Sequence, residues 1–371
     1  MIMKTGKRIV ISGGGTGGHI FPAVSIARAL QLIEPDTQIL FVGAQGRMEM
    51  EKVPAAGFKI IGLDIQGFNR NSLLKNWSLP FKLLASLRKA NRILRDFKPH
   101  VAVGVGGYAS GPLLYAAGRQ NIPYIIQEQN SYAGITNKKL SRKANKICVA
   151  FENMDKFFPA DKILLTGNPI RKESVDTHGK RDEALQFFNL SAQRKTVLLI
   201  GGSLGSLTLN NSAFAAISKI IDRDIQLIWQ CGNYYYDSFK NKLPHEFEHQ
   251  IKLFPFLQRM DLAYAAADVI VSRAGAGTIA ELCVVGKPVV LVPSPNVAED
   301  HQSVNARALA DKDAAVVVTD DNAQEFLMDV VIELLNNEVH CTELALNIMK
   351  MAIYNADEVI AKEVLKLAEG N

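Results

Sequence analysis

This sequence predicts an α/β fold with two doubly wound parallel sheets, and three observations carry that expectation. Short β-branched runs alternate with longer helical patterns through all 371 residues. The strand runs are apolar almost without interruption, as in parallel sheets covered by helices on both faces. Two separate series each open with a strand running into a glycine cluster. The chain is also about twice the usual 100–200 residues of one domain, so two domains are expected.

Taken in order, the first series places strands at Arg8–Ser12, Gln38–Val42, Val101–Val105, Tyr124–Gln127 and Lys146–Val149. The turn-forming run Thr166-Gly167-Asn168-Pro169 closes it. A polar, charged stretch from Arg171 to Lys195 leads into the second series. Its strands are Thr196–Ile200, Gln226–Gln230, Val269–Ser272, Val289–Val292 and Ala315–Val318. A last helical stretch, roughly Glu343 to Ala368, has no strand after it and is expected to pack back on the first domain. The expected division is residues 1–166, residues 167–350, and a returning helix in 351–371.

Composition is ordinary for a globular chain, 48% hydrophobic and 21% charged, which excludes a disordered tail protein. Cys148, Cys231, Cys283 and Cys341 form no C-x-x-C pair, so neither a zinc framework nor a disulfide scaffold is indicated, and a reducing cytoplasm suits them. Lys4, Lys7 and Arg8 run into Ile9–Ile11 and then glycines instead of a long apolar segment, so no signal peptide is expected. The uncharged run Val101 to Gly118 is broken by glycines and Pro112 and reads as strand, loop and helix, not as a membrane span. Charge is uneven: residues 65–150 carry fourteen Lys/Arg against Asp96 and Glu128, whereas residues 151–371 carry a net of −9. A basic first half suits phosphate-bearing substrates, an anionic membrane or simply water. The segment lacks the aromatic and glycine patterns of RNA-binding modules, so no nucleic-acid partner is expected.

In open α/β sheets ligands sit beyond the carboxyl ends of the strands, and three glycine loops follow strands here. The first, Gly13-Gly14-Gly15-Thr16-Gly17-Gly18-His19, also fits G-x-G-x-x-G. A dinucleotide enzyme usually closes its second strand with an acidic residue for the ribose, and here that strand ends Phe41-Val42-Gly43-Ala44. His19 falls in the first turn of a helix, where the positive dipole end keeps an imidazole neutral and available as a base. A structural, hydrogen-bonded histidine is the alternative. The second loop is Gly201-Gly202-Ser203-Leu204-Gly205, in which Ser203 either donates to a phosphate or caps the helix. The third is Ser272-Arg273-Ala274-Gly275-Ala276-Gly277-Thr278. There Thr278-Ile279-Ala280-Glu281 is a capping-box pattern, and on its own the capping role leads for Glu281. A carboxylate one turn into that helix also suits both hydroxyls of a ribose. The arrangement is that of a group-transfer enzyme.

These loops, with Gly106-Gly107-Tyr108-Ala109-Ser110-Gly111, Glu128-Gln129-Asn130 and Gly167-Asn168-Pro169-Ile170-Arg171, resemble the signature loops of the MurG family over nearly the whole chain and in the same order. That family transfers N-acetylglucosamine (GlcNAc) from UDP-GlcNAc to the N-acetylmuramic acid (MurNAc) of lipid I, giving lipid II for peptidoglycan. The resemblance implies the GT-B fold, two Rossmann-like domains facing a cleft, with no cofactor and no metal. It implies donor contacts from Arg171, Ser203, Leu257, Ala276, Gly277, Thr278, Ile279, Ala280, Glu281 and Gln302, joined by Thr16, Gly17, Gly18 and Asn130. Tyr108 and Ser110 would meet the acceptor. The chain departs from some relatives at Gln127, Ala280 and His301.

The implied chemistry is an inverting single displacement by the acceptor 4-hydroxyl, with His19 favoured as base and Glu128 its rival. Helix N-termini and Ser203 would stabilise the departing diphosphate. Asp222-Arg223-Asp224 spells D-x-D but precedes a strand, so a surface turn is expected. The lipid acceptor gives the basic segment a purpose. Leu73, Leu74, Lys75, Trp77, Phe81 and Lys82 mix apolar and cationic groups, with Arg88, Lys89, Arg92 and Arg95 following, as for peripheral attachment to the cytoplasmic face of an anionic plasma membrane. Much of Leu83–Leu94 is expected to be buried. Other cell-wall enzymes are implied partners. The competing readings are a GT-B transferase with another lipid acceptor and a UDP-GlcNAc epimerase.

Overall fold

The structure, a computed structural model, describes residues 6–66, 77, 79–297 and 300–370. They form two compact units: residues up to Ile170 together with those from Asn355 on, and Arg171–Tyr354. Each is an open, wholly parallel sheet with helices on both faces.

In the first unit the elements run β1 (Arg8–Gly13), α1 (Gly17–Ile33), β2 (Gln38–Ala44), α2 (Glu49–Ala55), β3 (Lys59–Leu63) and α3 (Leu79–Phe97). They continue with β4 (Val101–Gly106), α4 (Ser110–Arg119), β5 (Tyr124–Glu128), α5 (Ile135–Leu140), β6 (Lys146–Val149) and β7 (Ile163–Leu165). Strand order is β3-β2-β1-β4-β5-β6-β7. Side chains alternate across each strand: Ile9 and Ile11 enter one core with Phe41, Val103 and Ile125, while Val10 enters the other with Val42, Ala102 and Ile126. Both faces are therefore dry, which explains the unbroken apolar runs. β1 lies inside the sheet between β2 and β4, so its loop emerges at the carboxyl edge beside the loop of β4.

The second unit contains α6 (Lys172–Val175), α7 (Arg181–Phe187), β8 (Thr196–Ile200), α8 (Leu207–Ala215), α9 (Ile217–Asp222), β9 (Gln226–Gln230), α10 (Tyr236–Lys240), β10 (Ile251–Phe254) and α11 (Met260–Ala266). After these come β11 (Val269–Ser272), α12 (Ala276–Val285), β12 (Val289–Leu291), α13 (His301–Ala310), β13 (Val316–Val317), α14 (Asp320–Asn336) and α15 (Glu338–Met349). The order is β10-β9-β8-β11-β12-β13. One core joins Val197, Leu199, Trp229 and Val271 to Leu327 and Val331 of α14. The buried Trp229 indole donates to Asn210 Oδ1 at 2.9 Å, so its N–H is satisfied.

Four features differ from the sequence reading. Strands β3, β7 and β10 lie outside the sequence reading; all three are sheet edges with partly exposed residues, β3 and β10 carrying a lysine and β7 being only three residues long. The division falls after Ile170 instead of 166, because Asn168 bonds Gln127 and the backbone of Gln129 in the first unit. The stretch from Arg171 to Lys195 contains α6 and α7, which pack on α11. The C-terminal stretch is two helices: α15 stays in the second unit, and α16 (Ala356–Glu369) lies on α1, placing Ile360, Ala361, Val364 and Leu365 in the first unit's core.

Candidate functional site

In the first unit the loop after β1 is shaped by its neighbours. A Cβ on Gly13 would stand 2.9 Å from Ala23 Cβ, and one on Gly107 would stand 2.3 Å from the Gly14 carbonyl oxygen. Both glycines therefore serve close backbone packing. Thr16 is the N-cap of α1 in extended conformation, and its Oγ1 lies 3.1 Å from His19 Nδ1 instead of capping the helix. The other edge of the His19 ring rests on Gly106, where a Cβ would be 2.3 Å from Cδ2 and 2.7 Å from Nε2. His19 thus sits in the first turn of α1, between the loops of β1 and β4.

Around it, Ser110 is buried, its hydroxyl 2.8 Å from the carbonyl of Gly106 and 3.0 Å from that of Ser12. It fastens the two loops from beneath, whereas Tyr108 beside it is exposed with Arg47 over its ring. Glu128 is also buried. Oε2 accepts from Asn137 Nδ2 at 2.8 Å and from Gly134 N–H at 3.1 Å, and Oε1 accepts from Asn130 N–H at 3.2 Å. Burial pushes its carboxyl pKa up, and these donors pull it back down. The loop carrying Asn130 is organised around this carboxylate.

The second unit assembles two glycine loops on its carboxyl edge. Gly205 has φ 79°, and a Cβ there would meet the Cys231 carbonyl oxygen at 2.0 Å, so only glycine fits. The cap of α8 is Ser206, which accepts from Leu209 N–H at 3.4 Å; Ser203, expected to cap or bind phosphate, is exposed. Helix α12 begins at Ala276 with Gly275 as its N-cap, so Thr278 lies inside the helix and the capping box does not form. Glu281 instead turns toward Arg171, whose Nε donates to Oε1 at 3.1 Å, and accepts from the Tyr264 hydroxyl at 3.3 Å. Burial raises the Glu281 carboxyl pKa, opposed by the Arg171 charge. Gln302 Oε1 accepts from Ser294 N–H at 2.9 Å. Leu257 and Ile279 are buried, and Phe256 beside Leu257 is exposed.

Two residues that sequence reasoning passed over hold these loops. The Arg273 guanidinium reaches Ser206 Oγ at 2.6 Å, the carbonyls of Val292 and Pro293, and the carboxylate of Asp320 at the start of α14. It staples the loops that follow β8, β11 and β12, and its position inside a glycine motif was the available signal. The second is Glu49, whose carboxylate meets the first glycine loop; nothing in its local pattern announced it. Asp222-Arg223-Asp224 lies in the turn before β9 at the amino edge, Asp224 pairing with Arg194 at 2.6 Å. At that edge, too, a cavity of about 420 Å³ is lined by His178, Arg181 and Lys287. It is remote from the glycine loops of this unit. Among the described residues no three His, Cys, Asp or Glu side chains group as metal ligands.

The glycosyltransferase family 28 N-terminal domain matches residues 9–149, and the C-terminal domain of the same family matches residues 196–363. A curated protein of Bacteroides thetaiotaomicron is 54% identical over 99% of both chains, and one of Parabacteroides distasonis is 52% identical over 98% of both. Each is named UDP-N-acetylglucosamine–N-acetylmuramyl-(pentapeptide) pyrophosphoryl-undecaprenol N-acetylglucosamine transferase. The crystal structure of Acinetobacter baumannii MurG is 30% identical, covers 97% of this chain and 99% of its own, and superposes with a TM-score of 0.80. The chain belongs to the MurG family.

The MurG-type loops thus fall into two sets. Thr16, Gly17, Gly18, His19, Tyr108 and Asn130 share the carboxyl edge of the first sheet. Ser203, Ala276, Gly277, Thr278, Ala280 and Gln302 lie on the corresponding edge of the second, and Arg171 reaches α12 through Glu281. Of the surface segment, Leu73, Leu74 and Lys75 lie outside the described residues. Trp77 is 77% exposed and Phe81 69%, and Lys82 Nζ lies 3.3 Å from Asp64. Leu83 and Leu84, expected to be buried, are half exposed, because only Ser86, Ala90, Ile93 and Leu94 of α3 face the sheet. No helix among the described residues is long and apolar enough to cross a membrane.

Proposed function

We propose that this chain transfers GlcNAc from UDP-GlcNAc to the MurNAc residue of undecaprenyl-pyrophosphoryl-MurNAc-pentapeptide, forming the β-1,4-linked disaccharide of lipid II. The observation that carries this reading is the near full-length identity of 52–54% to transferases of that name. The site geometry supports it independently.

The second unit serves the donor. The N-terminal ends of α8 and α12, with Ser203 and Thr278, offer N–H and hydroxyl donors to the diphosphate, whose charge grows as UDP leaves. Glu281, held by Arg171 and Tyr264, is oriented for the ribose hydroxyls. The first unit serves the acceptor and the sugar passed to it. His19 takes the proton of the attacking 4-hydroxyl as the C–O bond to UDP breaks and the new glycosidic bond forms on the opposite face. Glu128 is a positioning residue, since both its oxygens already accept from the loop it organises.

Membrane attachment is assigned to α3 and to Trp77 just before it. Trp77 and Phe81 present apolar surface, and Arg88, Arg92 and Arg95 supply cations for anionic headgroups on the cytoplasmic face. The decisive experiment incubates the protein with radiolabelled UDP-GlcNAc and a lipid I analogue. Labelled disaccharide-lipid is expected, and it is lost in His19→Ala with donor affinity retained. Conversion of UDP-GlcNAc to an epimer, or transfer only to another lipid, overturns the reading.

A further inference from the structure

Glycine loops of this kind ordinarily present backbone N–H groups to a phosphate. In the first unit that place is taken by the protein's own anion. Glu49, the first residue of α2, is 1% exposed, and its carboxylate spans two backbone segments. Oε2 accepts from the N–H of Gly15 at 2.8 Å, and Oε1 accepts from the N–H of Ala44, the last residue of β2, at 2.9 Å. The surrounding glycines are shaped to it. A Cβ on Gly14 would fall 2.2 Å from Oε1, and a Cβ on Gly43 would fall 2.6 Å from Cγ. Gly14, which looks like part of a ligand cradle in the sequence, therefore makes room for a side chain, as does Gly43 in β2.

From this geometry we infer that Glu49 is a positioning residue for the transfer reaction, a built-in anion that fixes the first glycine loop and, through it, His19. The connection is short. Glu49 pins Gly15, whose φ of 88° turns the chain into Thr16; Thr16 stands at the N-cap position of α1, its carbonyl accepts from the His19 N–H at 3.1 Å, and its hydroxyl contacts His19 Nδ1. A phosphate brought to Gly13–Gly15 would meet a buried carboxylate already accepting the Gly15 N–H, and like charges at contact distance repel. The loop is thereby kept for uncharged hydroxyls of the reacting sugars, and the diphosphates of donor and acceptor are held elsewhere. Gly17 and Gly18, which have no backbone atoms crowding them, remain the open part of the loop.

This assignment rests on the proposed function for its kinetic readout, but its structural readout does not. Glu49→Gln keeps the shape while setting an NH2 group against one of the two N–H donors; Glu49→Ala opens the anion's place. Both are expected to lower kcat at least tenfold with the KM for UDP-GlcNAc within twofold of wild type, since the loops assigned to the nucleotide lie in the other unit. In Glu49→Ala, formate is expected to restore activity at least threefold and to raise the melting temperature, with no such effect on wild type. A wild-type kcat in folded Glu49→Gln overturns the inference, as does a folded Glu49→Ala that formate neither activates nor stabilises. Should Glu49→Ala not fold, the kcat and KM of Glu49→Gln decide alone. If wild-type protein forms no disaccharide, the proposed function fails, and the formate effect on melting still judges Glu49.

Discussion

A methyl group at Gly106 would stand 2.3 Å from His19 Cδ2, on a backbone with φ 112° that side chains rarely adopt. Gly106→Ala is therefore expected to displace the imidazole and lower kcat on the order of 100-fold, the usual cost of a misplaced reacting group. UDP affinity, measured by calorimetric titration, should stay within twofold. A second residue-scale prediction concerns pH. Arg259 and Lys180 beside Asp261 hold its carboxyl pKa down at about 2. A carboxyl depressed on folding stabilises above the unfolded value near 4 and loses that contribution as pH falls toward 2. Arg259 is partly exposed, so the contribution is about 1–2 kcal/mol after solvent screening. Urea unfolding should show Asp261→Asn less stable than wild type between pH 5 and 7, with the gap closing below about pH 4. Glu281 shows why such roles resist reading at this scale: its spacing from Thr278 spells a capping box, yet the helix begins at Ala276 and the carboxylate turns to Arg171, 110 residues away in sequence.

Secondary elements were legible where both faces of a strand are buried. The central strands β1, β4, β8 and β11 read directly as apolar runs, whereas the edge strands β3, β7 and β10 did not, because an edge tolerates partial exposure, a lysine in β3 and β10, and a length of only three residues in β7. Helix α3 presents the complementary case. Its buried residues Ser86, Ala90, Ile93 and Leu94 form a narrow stripe, which leaves Phe81, Leu83 and Leu84 outside. Burying an apolar side chain in an interface is worth roughly 1.5–3 kcal/mol, and about 1.4 kcal/mol is a factor of ten. Trp77→Glu with Phe81→Glu should thus weaken binding to anionic vesicles at least tenfold in a flotation assay while leaving UDP affinity intact. Undiminished flotation would remove α3 from the membrane-binding surface.

At the scale of the molecule, the two units have separate cores. One is drawn from residues 197–344, and the other lies on both faces of the first sheet and includes residues 360–368 of α16. Calorimetry should accordingly resolve two unfolding transitions. UDP at about 100 times its Kd should stabilise one of them by about 2.7 kcal/mol. Hydrogen exchange should place the protection at residues 201–206 and 273–281; protection confined to residues 13–19 would contradict the donor assignment. The number of domains, their parallel sheets and the order of the glycine loops were already written in the sequence, because strand periodicity and turn chemistry are local properties of the chain. What those loops contain was decided only by folding. A carboxylate from α2 fills the first, a guanidinium from the third binds the second, and a helix at the far end of the chain completes the first core. Such contacts join residues distant in sequence, and packing, which no local pattern encodes, brings them together.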